Sequence, residues 1–168
     1  MKHDNDYTIG LKNTWEVVCY GSDGKEKWRE VNNNLVVTAG LNAVLTEFFK
    51  GSSYTATWCI GLKGTGTALA ADTMSSHSSW SEITDYTQSA RPTIVLGTPS
   101  AGSVDNTASK ADFSINGTTT IYGAFLVNAS AKGGTGGTLY GVVDFGSSRA
   151  VISGDTLTVT VTLTAASA

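Results

Sequence analysis

The chain has 168 residues and a mass of 17.5 kDa, enough for one well-buried domain and too short for two ordinary ones. Only 15% of its residues are charged, against roughly 25% in a typical soluble domain, its net charge is -3, and Ser plus Thr make up about a quarter of it. That balance excludes a nucleic-acid binder, which needs an excess of Lys and Arg, and 40% hydrophobic content excludes a disordered chain. No apolar run approaches the roughly 18 residues of a membrane span, and Met1 to Asp6 has none of the apolar character of a secretion signal.

Taken in chain order, residues 1–13 read as an N-terminal arm. Its sizeable apolar groups at the start, Met1, Tyr7 and Ile9, alternate with Asp4, Asn5, Asp6 and Thr8. So little apolar surface does not offset an ordering cost of about 1–2 kcal/mol per residue, so these three are the candidate partner-contact residues. The arm is expected to gain its order by adding backbone hydrogen bonds to a neighbouring surface, with docking on the protein's own sheet as the alternative. Residues 14–33 read as a β-hairpin, with strands at 14–20 and 27–31 and a turn at Gly21 to Gly24 made of residues tolerant of positive φ. Leu41, Val44, Leu45 and Phe48 then follow the i, i+3, i+4, i+7 spacing of one buried helical face. Thr38 is the expected N-cap, and Lys50 with Gly51 the stop, for a helix over 39–50.

From 54 to 165 the pattern is β throughout. Short β-prone runs at 56–62, 80–86, 91–96, 111–115, 119–127 and 138–145 are separated by Gly, Ser and Asn. Over 155–164 the alternation is strict, with Leu157, Val159, Val161 and Leu163 on one face and Thr on the other. Gly-rich 132–137 reads as a mobile loop tip. The fold class is therefore all-β, a jelly-roll-like β-sandwich over 14–168 with one helix.

Motifs that carry chemistry are scarce. Leu62 to Thr67 has the glycines of a phosphate loop without its Lys-Ser/Thr ending, so it reads as a turn. His77 has Asp72, Glu82 and Asp85 near it in sequence, but one His among hydroxyls reads better as a residue that locks a loop by hydrogen bonds. No Gly-x-Ser-x-Gly elbow occurs, so no serine nucleophile is indicated. Trp15, Trp28, Trp58 and Trp80 could form a sugar platform, but strand positions favour a place in the core. Cys19 and Cys59 lie in apolar runs and read as two buried thiols, with a bridge, redox or metal role as the alternative. No catalytic residue, metal ligand or cofactor is assigned, and the chain is expected to be no enzyme.

The order of segments says more than any one of them. Asn34 to Asn42 leads into the helix; Asp72 to Glu82, Tyr122 to Leu126, Lys132 to Tyr140 and Ser153 to Leu157 follow. This series resembles a family of small virion structural proteins of tailed bacteriophages, over residues 12–165. The resemblance implies a capsid decoration or cement protein on the exterior of the virion, assembled in the bacterial cytoplasm. Its partners would be the major capsid protein and further copies of itself, as a dimer or trimer, with neither nucleic acid nor membrane. The family is also labelled tail-fibre-like, so a fibre or spike module that binds a host surface is the alternative.

Overall fold

The computed structural model describes residues 9–50 and 57–167, with the side chains of 9, 48–50 and 166–167 left aside. Eleven strands and one helix follow in order: β1 (Ile9–Tyr20), β2 (Glu26–Asn33), β3 (Leu35–Val36), α1 (Thr38–Lys50), β4 (Trp58–Lys63), β5 (Glu82–Ile83), β6 (Thr93–Ile94), β7 (Ser103–Asp105), β8 (Ala111–Ser114), β9 (Thr119–Val127), β10 (Leu139–Val151) and β11 (Thr156–Ser167). They form an all-β sandwich of two antiparallel sheets. The first runs β2-β1-β11-β7, with β8 also on β11; the second runs β3-β10-β9-β4-β5, with β6 also on β4.

The expected hairpin is present, its turn closed by a Gly21 N–H to Lys25 O bond at 2.9 Å, with Gly24 at φ 75° where a side chain would be strained. Its first strand is longer than expected. Residues 9–13, read from sequence as part of an arm, belong to β1: Ile9 pairs with Ser167, Gly10 with Ala166 and Leu11 with Ala165. The cause is β11, which runs past the expected 164 and offers those residues a partner ladder. Met1 and Tyr7 lie outside the described residues.

The two-faced strand at the C-terminus is as its alternation demands. Leu157, Val159 and Val161 are fully buried between the sheets, and Thr156, Thr158, Thr160 and Thr162 are half-buried on the other side. The inter-sheet core joins them to Trp15, Val17, Cys19, Ile60, Leu62, Phe113, Ile121 and Leu126. A second cluster, with Met74, Trp80, Phe125, Val127 and Val142, lies on the other side of the second sheet. Burial on both faces explains why β4 and most of β9 are buried without alternation. One flank of the sandwich is closed where β2 meets β10: Arg149 pairs with Glu30, and the Trp28 indole donates to Ala150 O at 3.4 Å. Beyond that seam, β2 is an edge strand whose one ladder partner among the described residues is β1.

The helix starts one residue early. Val37 is its cap, since its carbonyl accepts the first helical bond from Leu41 N at 3.1 Å, while the Thr38 N–H donates to Ala70 O at 2.9 Å. The face expected to be buried is turned outward. Leu41, Val44 and Leu45 are 40%, 37% and 55% exposed, and the side chain of Phe48 lies outside the described residues. The reason is Gly40. A β-carbon there would stand 2.2 Å from Tyr140 O, so the helix lies backbone-to-backbone on β10 with its small residues inward. At about 100° per residue, Leu41 and Leu45 then fall about 100° and 140° round from the contact. Small size, more than hydrophobicity, chose the inward face.

Candidate functional site

The ionisable groups singled out in sequence do structural work. Asp72 Oδ2 accepts from Leu69 N at 2.9 Å and from the Trp80 indole at 2.8 Å. His77 stacks on Trp80 with ring centroids 4.0 Å apart, and its Nδ1 lies 3.0 Å from Trp80 O. Asp85 is exposed, and Glu82 turns instead to Arg91. Asp72 and His77 thus serve a locked loop and Glu82 an ion pair, while Asp85 joins neither. Lys63, fully buried, bonds Asp144 Oδ1 at 2.9 Å, Gly64 O at 3.2 Å and Gly66 O, so all three of its protons have acceptors. Arg91, also buried, forks onto Glu82 at 2.9 and 2.8 Å and reaches Ala129 O and Gly134 O at 2.9 and 2.6 Å. With Lys132 Nζ on Tyr86 O at 2.9 Å, these bonds pin the Gly-rich loop expected to be mobile. Among the described residues no three His, Cys, Asp or Glu side chains converge as a metal site. No helix there is long and apolar enough to cross a membrane.

Cys19 and Cys59 are free thiols, fully buried, one in each sheet. Burial and then the charge of Asp155 push the Cys19 thiol up to about 11 from an ordinary 9.0. Asp155 is itself buried. Burial raises its carboxyl, but the bond from Lys27 Nζ at 2.6 Å and that from Ile152 N outweigh it and leave the carboxyl below the ordinary range. Because the unfolded chain releases the Cys19 proton at lower pH than the native one, stability falls as pH rises from about 9 toward 11. Native protein at pH 8 should therefore resist iodoacetamide at both cysteines and take up two equivalents once denatured. Uptake without denaturant would show that at least one thiol is accessible.

What remains uncommitted is the surface around α1. Beside the helix, at the end of the sandwich, a cleft of about 180 Å³ is walled by Ala43, Val44, Trp58, Leu96, Leu126, Tyr140 and Leu163. Trp58 and Tyr140 meet edge to face at 5.8 Å, and burial raises the Tyr140 phenol. A second, more open cleft shares Tyr140 and Leu163 and runs on to Leu11 and Val104. In the wall of the first, and of a more open cleft on the Thr46 side of the helix, stands Glu47, whose Oε2 is buried and has no hydrogen-bond partner among the described residues. An unsatisfied buried polar atom costs about 1–3 kcal/mol, and this oxygen, on a half-buried carboxylate, is the one acidic atom of that kind among the described residues. Val44 joins the cleft to the exposed Leu41 and Leu45, and Val95, next to Leu96, is 64% exposed.

Of the candidate contact residues, only Ile9 is within the described chain, and its backbone is taken up in β1. The cleft was not found from sequence, although Ala39, Gly40, Ala43 and Glu47 mark one helical face by spacing. That run of small residues ending in an acid was the available signal. No protein-family model, no curated protein and no solved structure matches the chain.

Proposed function

We propose that the chain is a non-enzymatic structural protein of a tailed-phage particle, a decoration or cement protein that docks on the outer head surface and stabilises it. The observation that carries this reading is the outward apolar face of α1, Leu41, Val44 and Leu45, on a domain whose buried Lys63, Arg91 and Asp155 are committed to internal pairs. A contiguous exposed apolar patch marks an interaction surface. The resemblance in segment order supplies the setting, and a Ser/Thr-rich, charge-poor surface suits many modest contacts repeated by symmetry. The second reading, a fibre or spike module, rests on the family's other label.

Copy number in purified particles separates the two. A shell component should be present on the order of hundreds of copies per particle, as icosahedral repetition requires, and a fibre at a few dozen at most. Added to particles lacking it, the protein should co-sediment and raise their disruption temperature, and Leu45→Asp should abolish both effects without lowering its own melting point. A protein that Leu45→Asp leaves fully able to bind does not dock through α1.

A further inference from the structure

We propose that the cleft beside α1 receives a polypeptide segment of the partner that presents a lysine or arginine side chain between apolar residues, with Glu47 as its counter-charge. This deepens the docking reading above and rests on it for the existence of a partner. Three observations converge. The cleft, about 180 Å³ and walled chiefly by Trp58, Leu96, Leu126 and Tyr140, offers almost only apolar surface. It exceeds the ~150 Å³ of an apolar cavity that holds a benzene-sized guest, so four methylenes and an ammonium group have room.

Inside that apolar wall stands one acidic group. Glu47 Oε2 is buried and unpartnered, and no Lys or Arg among the described residues bonds it. A hydroxyl from a partner would satisfy the oxygen but leave the charge uncompensated; an ammonium or guanidinium supplies both donor and charge. The long alkyl stem of such a side chain matches the apolar walls, as charged side chains with apolar stems do. Finally, the apolar surface does not end at the mouth. It continues over Val44 to Leu41 and Leu45, which a free amine would leave in water and a peptide with flanking apolar residues would cover.

The test uses the full chain and two peptides, acetyl-Leu-Lys-Leu-amide and its analogue with norleucine in place of lysine, titrated by NMR on the Trp58 indole and Tyr140 ring signals. The lysine peptide should bind saturably and at least about tenfold more tightly than the norleucine peptide. Glu47→Gln should erase that preference without lowering the melting point, and Leu45→Asp should weaken both peptides. Equal affinities, or a preference that persists in Glu47→Gln, overturn the proposal. So does n-pentylamine binding as tightly as the lysine peptide, which would make this a site for a free amine. Sedimentation covers the remaining occupant: a dimer that Leu45→Asp dissociates and the lysine peptide does not would assign the face to a second copy. High copy number in particles with no peptide preference removes this chemistry and leaves the structural role standing. A preference without incorporation into particles does the reverse.

Discussion

Val159→Asp should prevent folding or leave the domain unfolded at room temperature, while Thr160→Lys should move the melting midpoint by no more than a few degrees. Val159 is fully buried in β11, opposite Val17 of β1 and Ala111 of β8. A carboxylate there has no partner and no water, and such a change belongs to the rare class that costs more than about 4–5 kcal/mol. Total stability of a domain is about 5–15 kcal/mol, so one such loss takes most of it. Thr160 is the neighbouring residue on the other face, half-buried and opposite Glu16. A lysine there meets an opposite charge across the ladder, worth a few tenths of a kcal/mol to about 1 kcal/mol in its favour. Soluble yield and circular-dichroism melts of the two variants decide the matter. Equal losses would mean that the strand does not have two distinct faces.

The second large effect is expected at Arg91. Its guanidinium is 1% exposed and serves Glu82, Ala129 O and Gly134 O at once, while the Gly133 N–H donates to Glu82 Oε2 at 2.9 Å. Arg91→Ala strands a buried carboxylate and two carbonyls, and breaking a buried ion pair on one side costs about 3–5 kcal/mol. The loss should also be visible locally. In the native chain Lys132 lies over the Tyr86 ring at 4.4 Å and is bonded to Tyr86 O, a poor substrate for trypsin. In Arg91→Ala, cleavage after Lys132 should precede every other cut; replacing Glu82 by Gln in the same chain should recover part of the stability. A variant that melts as the native protein does, with Lys132 still protected, would show that the loop is held by something else.

The ease of reading the sequence varied with the physical cause at work. Where one face is buried and the other is wet, as at 155–164 and in the hairpin, period-two alternation speaks directly, and those elements are present, with β1 and β11 running on beyond their expected ends. β9 was found with its bounds, Thr119–Val127, because a β-rich run flanked by Gly and Asn needs no alternation. β3 and β7, of two and three residues, are shorter than any period and could not be read. The helix was found and its orientation was not. Its apolar stripe predicts burial on transfer energy alone, yet Gly40 permits a closer approach than any leucine could, and proximity to β10 prevailed. The site followed from that reversal, so it was hidden for the same reason. The pinning of 132–137 was equally invisible, since Arg91 and Glu82 lie about forty or more residues away in sequence.

The exposed edge of β2 has a consequence for crowding. An unpaired edge is a template onto which another chain can add a strand, and a flat apolar one would seed fibres. Along this edge stand Glu26, Lys27 and Arg29, three charged residues in four positions, with Arg29 held between Glu16 and Glu26. A second β2 laid antiparallel or parallel against it would have to strip water from these groups and disturb their pairs. Sheet-to-sheet polymerisation through this edge is thereby disfavoured even at high concentration. Copies can crowd side by side without fusing through β2.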